Sequence, residues 1–222
     1  MKCLGIDTSG DIFSLCLCED ERLLMEVRKN RSAEPGVRDA HFFAEAREMI
    51  GHLGIEPLTV VAVSVGPGMF TSLRIGISLA KALSLAWSVP VVGVNTLDII
   101  GQSPVFAGEK VLAVINAFQG DLYAALYERR RRRSDYIAVP ARILAKKFAH
   151  PLTVAGPAAG LLKKTRLPGM SKWIFIEDDS VWPSARRVVQ SAVPRIHKKD
   201  YDDADLLEPF YVKKTDAERN RA

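Results

Sequence analysis

Ser64-Val65-Gly66-Pro67-Gly68-Met69-Phe70-Thr71-Ser72-Leu73-Arg74-Ile75-Gly76 closes a near-continuous apolar run that begins at Val60. Such a run is expected of a strand buried on both faces. The Gly-Pro-Gly turn lets backbone come close to a neighbour, and Thr71 can cap a helix that continues to Trp87. A helix start presents free N–H groups, so Gly66, Gly68 and Thr71 are candidate phosphate-binding positions. No Lys-Ser or Lys-Thr pair follows the glycines, which sets the segment apart from a Walker loop. On physics alone a tight structural turn is favoured over a phosphate cradle.

Outward from this segment the chain reads as one unit repeated. Cys3–Asp7, Ile12–Cys18 and Leu23–Val27 are strand-like runs separated by turn residues, which suits an antiparallel meander. From Asp39 to Leu53 apolar residues recur at helical spacing, and Gly54 can stop that helix. Val60–Val65, the helix to Trp87 and the strand Val91–Val94 complete the first half. The second half repeats the order: strands Val111–Ala117, Leu122–Glu128 and Tyr136–Val139, helix Ala141–His150, strand Leu152–Ala155, helix Ala158–Thr165 and strand Trp173–Ile176. A last helix is expected over Pro183–Val193. Three strands, helix, strand, helix, strand, twice, predicts an α/β fold: the duplicated ribonuclease-H-like architecture of the actin-like ATPases, two lobes each with a five-stranded mixed sheet. The expected lobes are residues 1–105 and 106–222, hinged near Thr96–Gly108, with a C-terminal segment able to return to the first.

Composition narrows the function classes. With 222 residues, 48% hydrophobic and 26% charged, the chain is long enough for a large core, and disorder throughout is excluded. A formal charge of +5 favours encounter with RNA or other anions without proving contact. Leu73–Trp87 is the most apolar stretch, but it carries Arg74 and Lys81 and reads as a buried or interface helix, so no membrane role is expected. Cys3, Cys16 and Cys18 make an odd count, and Met1-Lys2 leads directly into a strand, so a reducing cytoplasm is the expected location. His41, His52, His150 and His197 are never four residues apart, no Gly-x-Ser-x-Gly elbow is present, and no metal site is expected.

The Ser64–Gly76 segment resembles the signature Gly-Pro-Gly-Ser-Phe-Thr-Gly-Leu-Arg-Ile-Gly of the TsaB (YeaZ) family, with Met69 for Ser and Ser72 for Gly. Gly5-Ile6-Asp7-Thr8-Ser9, Asn116–Tyr123 and Pro209–Lys213 extend the likeness along the chain. The second of these departs most, since Asn116, Phe118 and Gln119 stand where the family has Asp-Ala-Arg-Arg-Gly. The resemblance implies a non-catalytic partner subunit of the machinery that places threonylcarbamoyl on a tRNA adenosine. Its implied partners are a TsaD-like catalytic subunit, a TsaE-like ATPase, tRNA through the complex, and a second copy of itself when alone. In ATP-using members of the fold an acid at the end of the first strand positions the metal–phosphate group. Asp7, with Thr8 and Ser9, is therefore a candidate nucleotide site, the alternative being a residue that caps its own turn. Gly156-Pro157-Ala158-Ala159-Gly160 lies where an adenosine loop would be, but Pro157 removes a donor. No cofactor is expected to be required, and binding of ATP or ADP is expected to be weak at most. The competing function class is a stand-alone enzyme, an ATP-dependent small-molecule kinase or a glycoprotease-like protein without activity.

Two surfaces complete the expectations. Gly76, Ala80 and Ser84 form a small-residue stripe on a helix whose other faces bear Leu73 and Ile77, more apolar circumference than a one-sided helix needs. Spacing alone suits burial in the chain's own core as well as a partner helix; the TsaB resemblance implies the partner interface, with Arg74 and Lys81 at the rim and Phe43, Ala46 and Ile50 on the preceding helix. The run Arg129, Arg130, Arg131, Arg132 and Arg133 reads by default as a solvated hairpin tip, with RNA contact as the alternative.

Overall fold

The computed structural model describes residues 1–30 and 58–212, together with the helical positions 44, 47, 48 and 51. Phe43, Ala46 and Ile50, and nearly all of the expected Asp39–Leu53 helix, lie outside the described residues. The chain divides into two compact units, Met1–Thr96 with Pro183–Pro209, and Leu97–Trp182 with Phe210–Ala222.

Unit 1 is built on β1 (Lys2–Asp7), β2 (Ile12–Glu19), β3 (Arg22–Asn30), β4 (Val60–Gly66) and β5 (Val91–Asn95), in spatial order β3-β2-β1-β4-β5. The first three strands are antiparallel neighbours, while β4 and β5 run parallel to β1. Both parallel partners flank β4, which explains its unbroken apolar run Val60–Val63, fully buried. Helix α1 (Phe70–Trp87) covers one face, burying Ile77, Ala80 and Leu83 against Leu4, Ile6, Leu15, Val61 and Val63. Its start differs from expectation: Met69 occupies the cap position without a side-chain bond, and Thr71 sits exposed in the first turn. At its end Ser88 turns left-handed, the Val89 amide donates to the Ser84 carbonyl, and the Ser84 hydroxyl donates to the Val89 carbonyl at 2.6 Å.

Unit 2 repeats the plan. Its strands are β6 (Lys110–Asn116), β7 (Asp121–Glu128), β8 (Arg131–Arg132), β9 (Ile137–Pro140), β10 (Leu152–Ala155) and β11 (Trp173–Ile176), in order β11-β10-β6-β7-β8 with β9 also on β7. The sixth strand is the one the sequence did not signal, because two arginines carry no strand pattern. In the chain after β5, α2 (Thr96–Gly101) is helical within the stretch expected to hold the hinge. Helices α3 (Ala141–Lys147) and α4 (Ala159–Lys164) follow β9 and β10, both shorter than expected.

The other face of sheet 1 is covered by α5 (Ala185–His197), whose start is fixed by two serines. Ser184 accepts from the Arg187 amide, and the Ser14 hydroxyl accepts from the Ala185 amide at 2.7 Å. Gly5 is what lets the helix down onto the sheet: a Cβ there would collide with the Ala185 carbonyl and lie 2.8 Å from both Cys16 Sγ and a Val189 methyl. The chain after α5 then adds to β5. The Asp202 amide donates to the Val91 carbonyl, the Gly93 amide donates to Asp202 Oδ2 at 2.7 Å, and Arg195 donates to Asp202, to Asp200 and to the Gly93 carbonyl.

Gly5→Val should therefore cost about 1–3 kcal/mol by overpacking, read as a lower urea midpoint. Gly10→Ala, where an added Cβ meets nothing within 4 Å, is the matched control and should leave the midpoint in place.

Candidate functional site

Three elements meet at the Asp7 end of β1. Asp7 is 1% exposed, and Ser14 lies across from it on β2. The chain turns away through Thr8 and Ser9, both buried, and each polar group finds its partner nearby. The Ser9 amide donates to Asp7 Oδ1 at 3.2 Å, and the Thr8 amide to Ser64 Oγ at 3.4 Å. The Thr8 hydroxyl donates to the Ser72 carbonyl at 2.7 Å, inside the first turn of α1. From the other side the Met69 amide donates to the Ser9 carbonyl at 2.9 Å.

The glycines of the Gly-Pro-Gly segment make this joint possible. Gly66 has φ +108° and a cis peptide to Pro67. A side chain at Gly68 would collide with the Ser9 carbonyl, and one at Gly76 with the Thr8 hydroxyl. Asp7, Thr8, Ser9, Gly66, Gly68 and the start of α1 are thus brought together as the sequence suggested, but they are joined to one another. Thr71 stands apart on the exposed side of the first turn.

Burial pushes the Asp7 carboxyl above its ordinary value of 3.8, with the Ser64 and Ser9 hydroxyls, the Ser9 amide and Arg28 opposing. The same face of the sheet holds the cysteines. Burial pushes the Cys3 thiol up to about 12. Cys16 and Cys18 lie with sulfurs 3.9 Å apart, and the bond between them raises Cys16 and lowers Cys18. Among the described residues no group of three or more His, Cys, Asp or Glu is placed to hold a metal ion.

The adenosine-loop candidate in unit 2 is likewise engaged with its own sheet. Gly156 has φ +117°, the Ala158 amide donates to the Val114 carbonyl at 3.4 Å, and the Ala159 amide donates to the Gly156 carbonyl. The divergent Asn116–Gly120 loop is a hairpin turn with Phe118 and Gln119 both left-handed and the Asn116 side chain accepting from the Phe118 amide at 2.9 Å.

The expected partner interface is corrected by burial. Leu73, Gly76, Ile77 and Ala80 face the sheet, because the small stripe is what seats α1 on Thr8 and β4. Arg74 is exposed, stacked 4.1 Å from the Phe70 ring, and Lys81 and Ser84 are half-buried. The outward stripe runs instead through Phe70, Arg74, Ser78 and Leu85, the last 85% exposed. Its signal in the sequence was the four-residue spacing of Phe70, Arg74 and Ser78. The arginine run is divided: Arg129 and Arg130 form a left-handed turn, while Arg131 and Arg132 pair with β7. Arg130 donates to the Gln102 carbonyl, Arg132 lies 4.3 Å from the Tyr136 ring, and Arg133 lies 3.5 Å from Glu128.

This architecture defines the class: an α/β protein of the duplicated ribonuclease-H-like plan. YeaZ from Pseudomonas aeruginosa superposes with a TM-score of 0.77 over 95% of this chain and 100% of that one, at 23% identity. The model of the family described as "TsaD: tRNA N6-adenosine threonylcarbamoyltransferase" matches residues 44–169. The chain belongs to that family, with the TsaB/YeaZ proteins among its relatives. It is 30% identical over 128 residues to the tRNA threonylcarbamoyladenosine biosynthesis protein TsaB of Buchnera aphidicola, 57% of this chain and 60% of that protein. It is 52% identical over 112 residues to the tRNA N6-adenosine threonylcarbamoyltransferase of Anaeromyxobacter dehalogenans, 44% of this chain and 34% of that protein. These matches span less than two thirds of either relative's length.

The buried carboxyl has a pH signature. The folded chain holds the Asp7 proton more tightly than the unfolded chain, so the stability it contributes is full below 3.8 and falls as pH rises toward the raised native value. Asp7→Asn lacks this titration, and its stability relative to the natural chain should grow between about pH 4 and 7, measured from urea midpoints at matched pH. A constant difference across that range contradicts a carboxyl raised by burial.

Proposed function

We propose that the chain is the non-catalytic partner subunit of a cytoplasmic system that makes N6-threonylcarbamoyladenosine in tRNA. It presents the outer face of α1 to a TsaD-like catalytic subunit, and to a second copy of itself when alone. The observation that carries this reading is the closed Asp7 joint. In an enzyme of this fold the carboxylate at the end of the first strand must meet a metal–phosphate group. Here it is buried and accepts from the Ser9 amide, and the Met69 amide is spent on the Ser9 carbonyl. A subunit that lends surface rather than chemistry has no need of an open site there.

The surface it lends carries exposed apolar side chains along α1. Phe70 is 45% exposed with Arg74 stacked on its ring, and Leu85, 85% exposed, lies toward the other end of the helix. Aromatic and Arg side chains, with acids absent from the helix, are what interface centres are enriched in.

Leu85→Arg tests this. It should fold as the natural chain does by circular dichroism and urea midpoint, because residue 85 is 85% exposed. In a reconstituted system it should lose co-purification with the TsaD-like subunit and lower tRNA modification about tenfold or more, the loss expected when an interface centre is charged. A folded Leu85→Arg chain that still co-purifies and supports full modification removes this face from the account.

A further inference from the structure

Unit 2 carries a charged surface independent of the Asp7 joint. From Tyr136 through Ile176 the sequence contains seven Lys and Arg and no Asp or Glu. All seven are exposed, and they are carried by α3, α4 and the turns that follow α4. Both helices pack on one face of sheet 2, with Leu144, Ala145, Ala159 and Leu162 in a common core, so their cations share the outer side of one layer. Lys163 is neutralised by Glu177 at 2.6 Å. Among the described residues the remaining six, Arg142, Lys146, Lys147, Lys164, Arg166 and Lys172, have no acid within ion-pair distance.

Helix dipoles explain part of this. Lys146, Lys147 and Lys164 lie in last turns, where cations are favoured. That does not account for Arg142 at the start of α3, for Arg166 and Lys172 outside the helices, or for the lack of any Asp or Glu from Tyr136 through Ile176. Between α3 and the Leu167–Gly169 turn is a cleft of about 400 Å³, with Arg142 and Lys146 at its edge over Ala145, Leu167 and Pro168. An apolar floor with two cations one helical turn apart suits a nucleotide: phosphates on the cations, base or sugar on the floor.

We infer that this layer of unit 2 is an RNA-binding surface that holds tRNA by its phosphates. The inference rests on the tRNA-modification reading for the identity of the RNA, but on charge and placement for the contact itself. Single-sign charge on rigid helices contributes sequence-independent affinity and orientation, leaving recognition of the target adenosine to another subunit.

The experiment measures binding of unmodified tRNA to the full chain by fluorescence anisotropy over a range of salt concentrations. The variant is Arg142→Glu/Lys146→Glu/Arg166→Glu, and the control Arg22→Glu/Lys198→Glu/Lys199→Glu changes the same charge on exposed sites of unit 1. At about 0.1 M salt the variant should bind at least about tenfold more weakly than the control, with a log–log salt slope shallower by about 2–3. Gln in place of Glu at the three positions supplies the same comparison if the Glu variant fails to fold, with a smaller loss expected. Equal binding by variant and control overturns the inference, as do vesicles containing anionic lipid that bind the natural chain as tightly as tRNA does. Modification is assayed separately. If the natural chain supports modification while variant and control bind alike, only this inference falls; if it binds tRNA through these residues but supports no modification, the functional reading falls instead.

Discussion

The hydrogen bond from the Met69 amide to the Ser9 carbonyl, with its companion from the Thr8 hydroxyl to the Ser72 carbonyl, is the constraint around which unit 1 is arranged. These bonds tie the loop after the first strand to the start of α1. Backbone must approach backbone that closely for them to form, so residues 68 and 76 have to be glycine. Asp7 lies buried beside this joint, and burial holds its proton more tightly. The segment is thus a structural joint, the reading that physics alone favoured over a phosphate cradle.

The same geometry decides which face of α1 is available to a partner. Close seating on Thr8 uses up the small stripe Gly76 and Ala80, and Leu73 and Ile77 follow it into the core. What remains outside is Phe70, Arg74 and Leu85. The first strand is thus enclosed twice over, by α1 on one face and by α5 on the other, where Gly5 admits the start of the helix. Unit 2 uses the same strand order but keeps its α3 and α4 short, basic and solvated on their outer side.

Much of this was legible in the sequence because the relevant signals are periodic. The buried strand Val60–Gly66, the meander before it and the repeated element order were all read from apolar spacing and turn residues. Three kinds of feature were not. Strand β8 is two arginines whose pairing is imposed by the hairpin they close. Helix α2 starts at Thr96 directly after a strand, with no separate stop signal, so Thr96–Gly101 read as part of the hinge. The orientation of α1 was misread because a small-residue stripe is the same pattern whether it seats a partner helix or the chain's own strand loop. Only the long-range bond from Thr8 to Ser72 tells the two apart. The site was legible as a set of residues, Asp7 to Ser9 with Gly66 and Gly68, and as a tight turn, but not in the contacts across more than fifty positions that join them.

Native-state hydrogen exchange at the Met69 amide tests this closure most directly. If the joint is part of the core of unit 1, that amide should exchange only through global unfolding, with the same opening free energy as the central amides of β4, and added Mg-ATP should leave it unchanged. Exchange through a low-energy local opening, slowed by Mg-ATP, would mean that the joint opens to take nucleotide and would contradict the account.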